Sequence, residues 1–474
     1  MSSTSRPSEQ ELGHNQRGLV ENILEESQYE AAIDMLFQLR APQHKPYPAH
    51  IRQLIFLALH SPDPVRNDGN RPSFHDSPQK TKHMRTSNPI TSKAVVSALD
   101  LLTSLLSTNS PEALGRALPS YASYEENLST HVQEEGDSLL AKQALCIKTA
   151  KHCWEILEEG YIYRTQVVTS PKGKSKIRRD FSIDGAFQDE TLPGGSHIIG
   201  ETTWPVLNWL VTLFERDEQL REASDNARYS RIFLDQLPPP RGGSVTRWDF
   251  SDILNIVICC LGQDNTERQR LGYRLMAILI NLTATVHVEM TTLVTVVHKH
   301  LLVTGRPDFF EGILSNLPSS QSIWRFKVYL CLKIANDGPS PVPTGPQIRP
   351  RPQARTAKTR ATAPPENPKK DSTTPPQLAL QSLPANVEIL QCLRAPIPET
   401  LTEPLTRSSI LHAKFQLVVA FNSAQTISSP ESQIEWDHLI QQGKLAEALG
   451  IGFGGGSEYD DLYKEMLREY LRLV

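Results

Sequence analysis

The sequence predicts a mostly α-helical protein: an irregular helical bundle or HEAT-like helical array, ending in a small C-terminal helical unit. Three observations carry that prediction. Apolar residues recur at spacings of three and four in segment after segment, the period of an α-helix with one buried face. Most of these segments are separated by only a few residues, so successive helices pack as antiparallel neighbours. The chain has 474 residues, too many for one compact core and suited to roughly two to four domain-sized units or one elongated array. No fixed repeat recurs, so the array is an architectural comparison rather than a repeat family.

Residues 1–16 are polar and expected to be disordered, and their lack of an apolar run argues against a secretory signal. The helical region spans 17–337. In "GLVENILEESQYEAAIDMLFQLR", Leu19, Ile23, Tyr29, Ile33 and Leu36 give one bent helix or a helical hairpin. "PAHIRQLIFLALHSP" is a short helix with Pro48 at its start and Pro62 past its end. Residues 61–88 form a long polar loop expected to be disordered. "TSKAVVSALDLLTSLLST" resumes the helical period, with Thr91 or Ser92 as N-cap.

"SLLAKQALCIKTAKHCWEILEEG" reads as one helix, with Leu140, Ala144, Ile147, Trp154 and Leu157 on its inner face and Gly160 as its stop. Residues 161–183 are rich in aromatic and β-branched types and predict a small β-hairpin turning at Pro171–Gly173. A sub-boundary falls in 161–203. Helical segments follow at 204–214, 229–237, 250–262, 267–284, 288–303, 308–317 and 322–336. Thr203 is placed as a cap with Pro205 in the first turn, and Asp308 with Glu311 has capping-box spacing.

Residues 338–376 break the pattern with eleven prolines and seven Lys or Arg against Glu366 and Asp371. Too few large apolar side chains remain to offset the entropy of ordering, so this is an extended, basic, Pro-rich linker. Residues 377–474 form the C-terminal helical unit. Its last segment places Tyr459, Leu462, Tyr463, Met466, Leu467, Tyr470 and Leu471 at helical spacing. A unit below about 100 residues is marginal alone, so this one packs back on the preceding helices or on a partner.

The formal net charge of −4 gives no global attraction to nucleic acid or anionic membrane. No apolar window approaches the ~18–20 residues of a membrane span. The six cysteines show no spaced C-x-x-C pattern and read as buried, reduced thiols. "GIGFGGG" (450–456) follows a helical segment and lacks the strand and the Lys-Ser/Thr of a phosphate loop, so it reads as a link between helices. His287 and Glu289 match half of a zinc-deaminase signature whose Cys half is missing. His298 and His300 point to different sides of a helix and do not share a metal. No hydrolase, metalloprotease or kinase motif is present. No catalytic residue, cofactor, metal or small-molecule substrate is assigned, and the expected answer to whether this is an enzyme is no.

Three basic clusters remain: Lys80–Arg85; Lys172, Lys174, Lys176, Arg178 and Arg179; and Arg349, Arg351, Arg355, Lys358 and Arg360 in the linker. "KSKIRR" has the composition of a nuclear localisation address, and all three clusters suit phosphate contact. Ser61, Ser77, Ser170, Ser340 and Thr374 precede proline and are candidate phosphorylation sites whose charge would weaken a nearby basic patch. The expectation is a nuclear, non-enzymatic helical scaffold within a multiprotein complex, chromosome- or DNA-repair-associated. Its partners are other protein subunits and DNA through the basic loops. The alternative is a cytoplasmic adaptor in trafficking or signalling on the same fold.

Overall fold

The computed structural model describes residues 9–60, 90–121, 124, 138–168, 198–224, 227–240, 248–304, 306–336, 382–397, 406–428, 430–454 and 458–471. The described residues are mostly α-helical, with one two-stranded sheet. The chain divides into two compact units, Met1–Thr283 and Ala284–Val474. The loop 61–88, the hairpin's second strand and the linker 338–376 lie outside the described residues.

The first unit begins with strand β1 (Gln10–Glu11), which pairs in parallel with β2 (His44–Lys45). Residues 9–16 therefore do not form the disordered terminus expected from their polarity. Glu9 accepts hydrogen bonds from the Ser110 main chain and hydroxyl, and Arg116 pairs with Glu11, so this polar segment is held by charge-assisted bonds. The predicted hairpin of helices is α1 (His14–Glu25) and α2 (Tyr29–Leu39), turning at Ser27, whose φ is 59°. Next come α3 (Pro48–Ala58), with Pro48 in its first turn, and α4 (Ser92–Thr108), capped by the Thr91 hydroxyl. The helices α5 (Pro111–Gly115) and α6 (Leu139–Thr149) follow.

α6 is shorter than its sequence suggests. Beyond Thr149, side chains capture the main-chain donors that a continuing helix would use. The Cys153 N–H donates to buried Gln236 at 2.8 Å, and the Lys151 N–H donates to Glu155 at 3.0 Å. Trp154 is buried as expected, but in a turn before a short 3-10 segment, Glu155–Leu157. There its ring meets Phe214 and Phe233 at centroid distances of 5.9 and 6.0 Å. Gly160 has the left-handed backbone expected of it (φ 70°), yet it precedes a helix rather than ending one.

That helix, α7 (Tyr161–Val168), replaces the first strand of the predicted hairpin. The Tyr161 hydroxyl donates to the Cys146 carbonyl, and Tyr161 and Ile162 are buried. Tertiary packing has overridden the β preference of the aromatic and β-branched residues.

The unit is completed by α8 (Trp204–Glu222), α9 (Arg231–Leu234), α10 (Ser251–Leu261) and α11 (Thr266–Asn281). Pro205 sits in the first turn of α8, while the Thr203 hydroxyl bonds Leu157 and Gly200 carbonyls rather than capping it. The α10–α11 hairpin closes on Gly272, where a Cβ would lie 2.9 Å from that of Cys260.

The second unit contains α12 (Met290–Thr304), α13 (Pro307–Asn316), α14 (Gln321–Asn336), α15 (Asn386–Arg394), α16 (Arg407–Ser428), α17 (Pro430–Gln441), α18 (Lys444–Gly452) and α19 (Glu458–Leu471). Asp308 lies inside the first turn of α13 behind Pro307, so the Asp308–Glu311 spacing is not a capping box. Its core is the pairing of α14 with α16. On α16, Ala413, Ala420 and Ala424 are fully buried and let the helices approach. The helices at 290–336, grouped by sequence with the first region, thus share a core with the C-terminal helices. The Pro-rich segment falls, in chain order, within the second unit.

Candidate protein-interaction surface

None of the basic or phosphorylatable residues singled out by the sequence lies among the described residues. This holds for Lys172, Lys174, Lys176, Arg178, Arg179, Arg349, Arg351, Arg355, Lys358 and Arg360, and for Ser61, Ser77, Ser170, Ser340 and Thr374. The most distinctive surface among the described residues is built by α19, the last helix.

Three side-chain contacts fix how α19 lies on its own unit. Arg407 pairs with Asp460 at 2.9 Å, the Tyr463 hydroxyl meets His412 Nδ1 at 3.3 Å, and Asn422 donates to the Tyr470 hydroxyl at 3.4 Å. The order 407, 412, 422 against 460, 463, 470 makes α19 run parallel to α16. Asp460 and Leu467 are fully buried on the inner face. The ring of Tyr463 packs on His412 and Phe415, and Phe310 meets the His412 ring edge-on. Burial lowers the His412 pKa against the opposing pull of Glu311, so its imidazole is neutral at pH 7.

The rest of the unit holds this platform in place. Lys414 on α16 is buried and donates to the Leu393 carbonyl at 3.1 Å and to the Ala395 carbonyl, satisfying the C-terminal end of α15. Desolvation brings its ammonium down to about 8. Gly452 ends α18 against the same carbonyl, and a Cβ there would fall 1.8 Å from Leu393 O. That glycine of "GIGFGGG" is therefore fixed by close packing, and α18 extends through the first glycines of the run.

The apolar arc of α19 is wider than α16 covers. Tyr459, Leu462, Met466 and Tyr470 are 59, 54, 43 and 45 % exposed. Their spacings of three, four and four place them in one stripe beside the buried face. Glu465 and Glu469, both exposed, border the stripe on its open flank, Glu465 also pairing with Arg468 at 3.6 Å. The sequence identified all the apolar positions of this helix, and it did not separate those that pack inward from those left outward. Asp460 and Arg407, which set the pose of the helix, and Lys414, which holds the end of α15, were missed, because an isolated charged residue carries no signal of its buried partner.

The described cysteines are free thiols, and burial raises those of Cys153, Cys260, Cys331 and Cys392. No helix among the described residues is long and apolar enough to cross a membrane. Comparison of the chain with protein-family models, with curated proteins and with solved structures found no match.

Proposed function

We propose that this protein is a non-enzymatic helical scaffold subunit of a nuclear, chromosome- or DNA-repair-associated complex, and that α19 is its docking helix. The observation that carries the reading is the exposed stripe of Tyr459, Leu462, Met466 and Tyr470. Aromatic and Met side chains are enriched at protein interfaces, and an apolar stripe next to a packed face is what a helix-in-groove contact uses. The acidic flank of Glu465 and Glu469 commits the occupant to an amphipathic helix of another protein with Lys or Arg beside its apolar positions. The nuclear part rests on the sequence alone: "KSKIRR" as an address, with the basic clusters as sequence-independent phosphate contacts.

A photo-crosslinking amino acid at position 462 of the full chain, used in cells, tests the docking surface. The crosslinked peptide should come from another protein and show apolar residues at helical spacing beside basic ones. A peptide of this chain would instead make α19 a self-association face. Failure to crosslink, or an unchanged set of co-purifying proteins in Leu462→Asp/Met466→Asp, would overturn the docking assignment. Microscopy of a tagged chain tests the location. Replacing Lys174, Lys176, Arg178 and Arg179 with Ala should reduce nuclear accumulation. A chain that is cytoplasmic throughout favours the adaptor alternative.

A further inference from the structure

A second surface of the Ala284–Val474 unit is an open groove of about 960 Å³, at the upper end of the size of ligand clefts. One wall is a face of α17, on which Ser432, Glu435 and Leu439 recur at helical spacing, with Gln442 just past its end. The opposite wall is the start of α14, with Gln321 and Arg325 one turn apart. Gln425 of α16 also lines the groove, the irregular segment 382–385 leading into α15 runs along it, and Lys444 stands at the start of α18.

Two groups here lack a polar partner among the described residues, and a third, Lys444, is an exposed cation. Gln425 is 3 % exposed, and its Oε1 has no hydrogen-bond partner among the described residues. Gln53 and Gln433 also have unpaired Oε1 atoms, but of the three only Gln425 lines the groove, where a seated N–H donor would satisfy it. Arg325 has a buried Nε with no acceptor, and neither Arg325 nor Lys444 forms an ion pair among the described residues. Against these two cations the lining carries one carboxylate, Glu435. Shape, polarity and charge thus ask for a narrow polymer that donates N–H groups and brings negative charge.

We propose that this groove binds an extended, acidic peptide segment of a partner protein. Its main-chain N–H meets Gln425 Oε1, and its carboxylates meet Arg325 and Lys444. The wall from Ser432 to Gln442 rises about 15 Å, the length of roughly four or five extended residues. The adjoining Pro-rich segment of this chain does not fit, since its seven Lys or Arg against two acidic residues would meet like charge. The groove is a site separate from the α19 stripe, and its test leaves α19 unaltered, so the failure of one assignment does not decide the other.

The probe is a fluorescein-labelled pool of short peptides with glutamate at alternate positions and uncharged residues elsewhere. A matched pool carries lysine at those positions. Anisotropy titrations of the full chain should show the acidic pool binding more tightly by about tenfold or more, the worth of one charge-assisted hydrogen bond, and weakening as salt is raised. Lys444 is exposed at a helix N-terminus, where an acidic residue is tolerated, so K444E keeps the fold. K444E should lose that advantage and move the preference toward the lysine pool. R325Q should weaken the acidic pool similarly, with circular dichroism and melting as the control; if R325Q melts early, K444E alone decides. Q425M should weaken both pools, because the main-chain bond does not depend on charge. Equal affinity for the two pools, or acidic binding unchanged by K444E, would overturn the proposal. A short oligothymidylate that displaces the peptide, binds more tightly and is itself lost in K444E would make this a nucleic-acid groove instead.

Discussion

Two helices of similar length, α3 in the first unit and α19 in the second, contrast sharply in their surroundings. α3 has 11 residues and α19 has 14. Every residue from Ala49 to Ala58 is buried, including His50, Arg52 and Gln53. Two of the polar members converge on one carboxylate: Gln53 donates to Glu21 at 3.2 Å, and His50 Nε2 lies 3.3 Å from the same group. Burial lowers the Arg52 guanidinium to about 10. α19 has more large apolar side chains, seven against five, yet four of them face outward. α3 is enclosed by its own chain on all sides, its polar members included, whereas α19, apolar over half its circumference, packs one part and leaves the other for a partner.

Truncations should show the contrast most strongly. Leu54→Ala, in the enclosed helix, is expected to cost ~2–5 kcal/mol. Leu462→Ala, on the open stripe, should stay within about 0.5 kcal/mol. Chemical denaturation of both variants measures the difference, and equal costs would mean that α19 is covered within the monomer.

Glycines sharpen the comparison inside the second unit. Gly452→Ala places a methyl against the Leu393 carbonyl, and overpacking of that kind costs about 1–3 kcal/mol or more. Gly450→Ala has open space around its added methyl and should stabilise α18 by up to about 1 kcal/mol. Melting temperatures of the pair should therefore move in opposite directions. A harmless Gly452→Ala would show that α18 does not sit against α15 so closely.

The two units should also respond differently to pH. Glu218, buried in the first unit beside Asn281, has its carboxyl raised by desolvation from 4.5 to about 8. The folded unit keeps a proton that the unfolded chain has released. This contribution is full below about pH 4.5 and lost as pH rises through about 8. Glu218→Gln should thus be more stable relative to the native chain at pH 8 than at pH 4. Lys414 in the second unit works in the reverse sense. Its folded value is lowered from 10.5 to about 8, so between those limits the unfolded chain holds the extra proton and stability rises with pH. Lys414→Met should remove that rise, at the cost of leaving two carbonyls of α15 without their donor. Urea midpoints across the pH range, read by a probe in each unit, test both signs.

The smallest stability effect is expected for the exposed border of α19. Glu469→Lys should change stability by no more than about 0.5 kcal/mol while weakening capture of a basic partner helix. Unaltered capture in a binding assay would remove charge from the recognition and leave the apolar stripe alone.

Helix type and order were legible because local signals agreed. Pro48 and the Thr91 cap sit where the sequence puts them, and α2, α10 and α11 match their apolar periods, whereas α1 buries Val20 and Leu24 and leaves Leu19, placed inward by the sequence, exposed. The misreadings share one cause. At 150–168 the backbone follows Gln236 and the pocket that Phe214 and Phe233 make for the Trp154 ring, all distant in the chain. Polar residues 9–16 look unstructured until Ser110 and Arg116 are seen beside Glu9 and Glu11.

By itself, the sequence determined that this chain is helical, where most helices begin, and which faces are apolar. Those properties follow from the repeat of 3.6 residues and from the restricted torsions of proline and glycine, which act over a few neighbouring positions. Only the tertiary structure decided that 290–336 shares a core with the C-terminal helices, that Lys414 and Gly452 converge on Leu393, and that half of the α19 arc is left open. Those are long-range facts: they depend on which surfaces compete for the same buried space, and no local spacing records the outcome of that competition.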